Sequence, residues 1–329
     1  MWLLLQPRDF INAFLLYAGM ALLVLATLGA GFRGATTAAM PGWNVAAGTQ
    51  KLGLIWPILF ITIACGAISG FHSLVAGGTS SKQCDRERSA VKIGYGGMLL
   101  ESLLAVLVII ALVAGLGYAR FMDVAYPAGG GGNFVLAFAM SMGGLLAKGL
   151  HLPLYLGTIF GILMLEGFLI TTLDSAVRLN RYLLEELWKH LFAERTPAIL
   201  RSPNFNALIS CALMFLLAFS NGVNAIWPLF GSANQMMAAL TLIAVSLWLL
   251  YRARTAWYTV YPAVFMVVTT VASIGITTWS NLQKLLAEWK CSTLTLVLFG
   301  AILLLFSLGV VWLGIAKAWE FRSTRAQSA

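Results

Sequence analysis

Charge is what this sequence has least of. Only 10% of its 329 residues are Asp, Glu, Lys or Arg, where a soluble domain carries about 25%. With 60% hydrophobic residues and a mean hydropathy of +0.86, that deficit excludes a soluble globular chain and makes this a polytopic membrane protein. Cysteine is also scarce. The four present, Cys65, Cys84, Cys211 and Cys291, show neither metal-ligand spacing nor a paired framework. Cys65 and Cys211 lie in apolar runs, where a thiol behaves as a small hydrophobe. There is no nucleophile triad, no zinc spacing and no dinucleotide fingerprint, and the isolated Ser, His and Glu residues fall on different apolar runs. The chain therefore reads as no enzyme, with no cofactor and no metal site. The formal net charge of +9 could suggest nucleic acid, but basic residues flanking membrane spans set orientation. The expected partner is the lipid bilayer, and no nucleic acid.

The first apolar run, Phe10 to Ala30, has no small-residue cleavage site and exceeds the roughly 7–15 residues of a signal-peptide core, so it reads as a retained span. A helix needs about 20 apolar residues to cross a bilayer. Candidate spans are 10–30, 54–70, 93–118, 152–173, 204–220, 225–250, 257–279 and 293–316. A ninth apolar segment, 133–149, follows a glycine run and ends at Lys148. Basic residues cluster in 82–92, in 178–201, at Arg252 with Arg254, and in the tail at Lys317, Arg322 and Arg325. If 133–149 is re-entrant, all four clusters and Arg8 share one side, leaving only Arg33, Lys51, Arg120, Lys148, Lys284 and Lys290 on the other. The positive-inside rule then gives eight spans plus one re-entrant segment, with both termini cytoplasmic. Non-helical backbone at membrane depth needs protein or water around it, so 133–149 is expected to line the interior.

This is an all-α reading of residues 1–329 as a single transmembrane domain, with a cytoplasmic connection at 174–201 and a cytoplasmic tail at 317–329. Asp174 to Phe192 is expected to continue the fourth span as an amphipathic helix, with acid-first pairs at Asp174–Arg178 and Glu185–Lys189.

The stretch Gly66 to Gln83 carries the most unusual polarity. It starts inside an apolar run, passes Ser69, Gly70, His72 and Ser73, and opens into Gly77-Gly78-Thr79-Ser80-Ser81-Lys82. The last six lack the glycine-to-glycine-lysine spacing of a phosphate loop. An unwound helix here could offer Ser69, His72, Ser73 and Thr79 to a substrate or proton, an imidazole having an unperturbed pKa near 6.5. Alternatively Gly66-x-x-x-Gly70 serves close helix packing. Intramembrane acids usually face an interior or an aqueous cavity. Glu101 lies roughly 14 Å into the third span at about 1.5 Å per residue, and Glu166 lies well inside the fourth. A carboxylate buried there is a candidate for proton or cation coupling; the alternative is packing specificity.

A second site is Phe230-Gly231-Ser232-Ala233-Asn234-Gln235. Ser232 and Gln235 have capping-box spacing, so a helix restart is expected after Pro228 and Gly231. Backbone N–H groups there would favour a carboxylate, as in the interrupted helices of secondary transporters. Ile55-Trp56-Pro57 echoes Ile226-Trp227-Pro228, an echo best read as shared interfacial chemistry. The substrate or ion pathway candidates are thus Ser69, Gly70, His72, Ser73, Thr79, Glu101, Glu166, Asp174, Ser232, Asn234 and Gln235.

The phrases WLLLQPRD (2–9), ITIACGAISGFHSLVAGGTSSKQ (61–83), IGYGGMLLES (93–102), TTLDSAVRLNRYLLEEL (171–187) and IWPLFGSANQMMAA (226–239) resemble the carbon starvation protein CstA family, in order along most of the chain. The resemblance implies a bacterial inner-membrane secondary transporter with LeuT-like broken helices. It also implies proton- or cation-coupled uptake of peptides or pyruvate during carbon starvation. The implied partners are a small carboxylate-bearing substrate and a coupling proton or cation. Family members normally carry further spans before the first phrase, so the chain resembles the later part of such a protein, completed by a separately encoded N-terminal half or truncated. The competing reading is a non-transporting membrane subunit or starvation sensor, with 174–201 as its docking surface.

Overall fold

The computed structural model describes residues 5–35, 45–127, 132–192, 195–219 and 222–328, and every regular element among them is helical. In chain order these are α1 (Leu5–Phe32), α2 (Val45–Leu52), a π-helical turn (Ile55–Leu59), α3 (Phe60–Ala67), α4 (Gly70–Val75), a second π turn (Ala76–Ser80) and α5 (Ser81–Gln83). Then come α6 (Glu87–Ile110), a third π turn (Ala111–Leu116), α7 (Tyr118–Ala125), α8 (Phe134–Leu150) and α9 (Leu154–Phe192). A 3₁₀ turn (Ala198–Arg201), α10 (Pro203–Phe219), α11 (Gly222–Tyr251), α12 (Trp257–Ala287) and α13 (Cys291–Ser328) complete the chain. Among the described residues, six helices are long and apolar enough to cross a bilayer, and α8 and α10 are shorter apolar helices. The protein is a multi-pass membrane protein.

Two compact units interleave in sequence, one formed by Met1–Trp43 with Arg86–Arg201, the other by Asn44–Asp85 with Ser202–Ala329. The first unit is built on α8. Its core joins Met20, Leu23 and Ala26 of α1, Leu107 of α6, Met142, Leu145 and Leu146 of α8, and Met164 of α9. Without a hydrophobic drive inside lipid, helices associate by close packing of small residues, and α8 supplies them. A Cβ at Gly144 would stand 2.5 Å from the Gly115 carbonyl oxygen, and one at Gly149 would overlap the Ala26 carbonyl. The segment 133–149, expected to be re-entrant and irregular, is thus a regular 17-residue helix whose buried residues run from Ala137 to Gly149. Its ends are chemically marked. The Asn133 side chain accepts the Leu136 N–H at 2.9 Å, an N-cap. Arg33 donates to the Gly149 carbonyl at 3.0 Å at the other end, where cations favour the helix dipole.

α9 is one helix of 39 residues, roughly 58 Å at about 1.5 Å per residue. It therefore continues the fourth span as expected and outruns a hydrocarbon core of about 30 Å. Its ion pairs differ from the expected ones. Asp174 pairs with Arg8 of α1 rather than Arg178, and Glu185 with Arg181 at 3.6 Å rather than Lys189. Asp174 thereby ties α9 to α1 within the first unit.

The second unit is built on α11, which packs against α12, α13, α4 and α3. Met236 and Ala239 of α11 meet Met266 of α12 in its core, with Ile68 packed alongside.

Candidate functional site at a helix break

The apolar run 54–70 does not form one membrane-length helix. Trp56 is extended (φ −110°, ψ 133°). α3 ends at Ala67, Ser69 is extended (φ −110°, ψ 130°), and α4 begins at Gly70. The expected break is real and centres on Ile68 and Ser69. The expected glycine and hydroxyl loop after it is absent: Ala76–Ser80 winds as a π turn and Ser81–Gln83 is helical.

An interrupted helix strands backbone groups that must find partners. α11 provides them. The Asn234 Oδ1 accepts the Phe71 N–H at 2.7 Å, and its Nδ2 donates to the Ser69 hydroxyl at 3.3 Å. One amide of a neighbouring helix thus holds the break residue Ser69 and the start of α4. Lower down, the Thr241 hydroxyl lies 2.9 Å from Ser73 Oγ, and Ser73 donates to the Gly70 carbonyl at 2.6 Å. Gly70 is required by this approach, since a Cβ there would overlap the Asn234 carbonyl oxygen. Gly66 faces open space, so the small-residue spacing contributes one contact and not two.

The far side of α11 is polar as well. Ser232 and Ser273 share a hydrogen bond at 2.9 Å, both fully or nearly fully buried. Trp56 Nε1 reaches the Thr269 hydroxyl at 3.4 Å. Gln235 is 0% exposed, yet neither its Oε1 nor its Nε2 has a hydrogen-bond partner among the described residues. Successive residues on a helix are about 100° apart. Gly231 faces Ile61 of α3, and Ser232 and Met236 face Ser273 and Thr270 of α12. The intervening direction of Gln235 is therefore the seam between α3 and α12, beside the break. An orphaned buried amide costs about 1–3 kcal/mol, a cost that packing alone does not recover.

α11 itself is continuous from Gly222 to Tyr251. The restart expected at Ser232 does not occur, and Ser232 and Gln235 form no capping box. Pro228 removes a single N–H early in the helix, and the turns beyond it carry on. The side chains at 221–228 lie outside the described residues.

Of the sequence candidates, Ser69, Gly70, Ser73 and Asn234 meet at the break, with Ser232 and Gln235 on the same helix as Asn234. His72 is exposed, so it does not join this cluster. Thr79 lies in the π turn with its hydroxyl buried and without a partner among the described residues. Asp174 is committed to Arg8 in the other unit. Glu101 on α6 and Glu166 on α9 are exposed on that unit. Sequence reasoning missed Trp56, Thr241, Thr269 and Ser273. For Thr241, Thr269 and Ser273 the signal was spacing: Thr269 and Ser273 are four apart on α12, and Asn234 and Thr241 seven apart on α11, each pair on one helix face.

Among the described residues this is a helical multi-pass membrane protein whose interrupted helix is held by a polar face of its neighbour. The chain belongs to the carbon starvation protein CstA family, whose description matches residues 1–133 and 124–273. It is 31% identical over 83% of its length to the Escherichia coli peptide transporter CstA, covering 46% of that protein. It is 30% identical over 85% of its length to the E. coli pyruvate/proton symporter BtsT, covering 49%. The Bacillus subtilis peptide transporter CstA is 28% identical over 74% of the chain. The chain thus spans about half the length of these curated relatives. No solved structure matches it.

Proposed function

We propose that the chain takes part in secondary active uptake of a small carboxylate-bearing nutrient, a peptide or pyruvate, driven by a proton or another cation across the bacterial inner membrane. The observation that carries this reading is the break at Ile68–Ser69, clamped by Asn234 beside the orphaned amide of Gln235. Intramembrane binding sites of transporters recur at such interruptions. Similarity to proteins named as a peptide transporter and as a pyruvate/proton symporter supports the substrate class and the coupling ion. In this reading Ser69 and Asn234 set the conformation of the break, Gln235 meets a polar substrate group, and Glu101 and Glu166 are the coupling carboxylates. Both termini are cytoplasmic by the charge distribution.

Uptake of labelled dipeptide and of labelled pyruvate into membrane vesicles, with and without an imposed pH gradient, tests the reading. Gradient-dependent accumulation of either compound that Asn234→Leu abolishes is the expected outcome. Equal uptake by vesicles with and without the chain removes it.

A further inference from the structure

The buried amide of Gln235 constrains what can bind beside the break. A primary amide has an acceptor, Oε1, and a donor, Nε2, on one planar carbon. Among the described residues neither atom has a partner, and the side chain is 0% exposed. The adjacent amide is already committed: Asn234 Oδ1 takes the Phe71 N–H, and Nδ2 donates to Ser69. Hydroxyls of α12 are engaged as well, Ser273 with Ser232 and Thr269 with Trp56. An occupant of the seam between α3 and α12 therefore has to satisfy Gln235 itself, with a donor for Oε1 and an acceptor for Nε2.

The same surroundings decide the charge of that occupant. α11 has no Asp, Glu, Lys, Arg or His along its length, and neither do α3, the π turn before it, or α10. α4 contributes His72, which is exposed. The first charged residue of α12 is Lys284, beyond Ser273 by roughly 16 Å at about 1.5 Å per residue. α13 has none before Lys317. The other titratable groups of these elements are Cys65, Cys211, Tyr251, Tyr258, Tyr261 and Cys291, none of which carries positive charge. An ionised carboxylate in the seam would thus lie without a counter-ion, a cost that drives a buried acid to its neutral form.

We propose that Gln235 binds the carboxyl group of the substrate in its protonated form, so that substrate and coupling proton occupy the seam together. This deepens the transport reading above and rests on it. A carboxylate offers acceptors alone and would set an oxygen against Oε1. A carboxylic acid offers one O–H donor and one C=O acceptor on a planar carbon, the complement of the amide. The pair closes with the O–H donating to Oε1 and Nε2 donating to the carbonyl. One proton joins the carboxylate on binding and leaves it on release, and no other bond changes. In this scheme Glu101 and Glu166 conduct the proton, and Gln235 decides which form of the substrate is accepted. Access requires α3 to move off α11, because the seam is closed around the amide here. α3 and its leading turn are suited to that. They lie between extended residues at Trp56 and Ser69, and Ile61 meets Gly231 of α11 through an apolar contact.

The test is equilibrium binding to the purified full chain by isothermal titration calorimetry, with no gradient present. The probes are pyruvate and alanyl-alanine, each beside its amide, pyruvamide and alanyl-alaninamide, and the comparison is made within whichever pair binds. An amide presents the donor and acceptor of a carboxylic acid and keeps both at every pH. Affinity for the acid should fall about tenfold per pH unit between about pH 5.5 and about pH 7.5, as its protonated fraction does. The amide should hold its affinity within about twofold over that range, and Gln235→Leu should weaken both by about tenfold or more. Acid binding that is independent of pH overturns the proposal, because the carboxylate is then bound ionised. A parallel fall for acid and amide overturns it too, since that places the proton on the protein. So does binding of the acid without its amide, or binding that Gln235→Leu leaves intact. In each of these cases gradient-driven uptake persists and the transport reading stands. Absence of binding and of uptake for both pairs removes that reading and the proposal with it.

Discussion

Gln235 separates packing from function more sharply than any other residue at the break. Its amide is fully buried without partners among the described residues, so replacing it by an apolar group of similar size removes a desolvation cost and no bond. Gln235→Leu should therefore leave thermal stability unchanged or raise it by up to about 1–3 kcal/mol. A residue that meets substrate should nonetheless lose about tenfold or more in uptake, at least about 1.4 kcal/mol. Melting and transport are measured on the same preparation, and a parallel fall in both returns Gln235 to a packing role. Asn234 predicts a different pattern. Its side chain makes hydrogen bonds to Ser69 in the break and to Phe71 at the start of α4, so Asn234→Leu should cost stability by about 1–3 kcal/mol as well as uptake. Neither pattern could be derived from the sequence, where Asn234 and Gln235 are adjacent amides of equal standing. Only the 100° step between them, with α4 on one side and the α3–α12 seam on the other, gives them separate tasks.

At the scale of elements, the break and the long α9 were legible, and the reason is local. Ser69 and Gly70 are poor helix formers set in an apolar run, and no turn chemistry follows Leu173 to stop α9. The readings that failed depended on neighbours. Gly77 to Lys82 has loop composition, but it remains helical through a wide turn. Pro228 and Gly231 resemble a break, yet α11 runs through them. For 133–149, composition could not distinguish irregular backbone from a helix that uses its glycines to let α1 and the π turn after α6 approach. Gly70 tests the approach of α4 to α11 directly. Gly70→Ala places a methyl into the Asn234 carbonyl, and backbone cannot yield as a side-chain tip can. Overpacking of this kind costs about 1–3 kcal/mol, so the variant should melt earlier, whereas Gly66→Ala, facing open space, should match the parent. Equal melting of both variants would show that α4 is not held against α11 as described.

For the molecule as a whole, the unresolved charge is in the membrane. Glu101 and Glu166 are exposed on α6 and α9, and neither makes a hydrogen bond or ion pair among the described residues. An ionised carboxylate facing hydrocarbon costs about 2.5–3.5 kcal/mol on insertion scales, and intramembrane acids therefore mark ion or proton pathways. The same chain spans about half the length of its curated relatives. A coupling acid and a substrate contact fail differently. Glu101→Gln keeps the shape and hydrogen-bonding capacity of the side chain but cannot carry a proton. Exchange of labelled for unlabelled substrate, which needs no net proton movement, should persist within about twofold, or about 0.4 kcal/mol, while accumulation against a gradient falls about tenfold. Glu166→Gln is measured alongside, and the variant with the larger loss of accumulation at intact exchange identifies the coupling acid. Loss of exchange and accumulation together would make the residue a substrate contact or a structural one. Unchanged accumulation in the double variant would remove both acids from coupling.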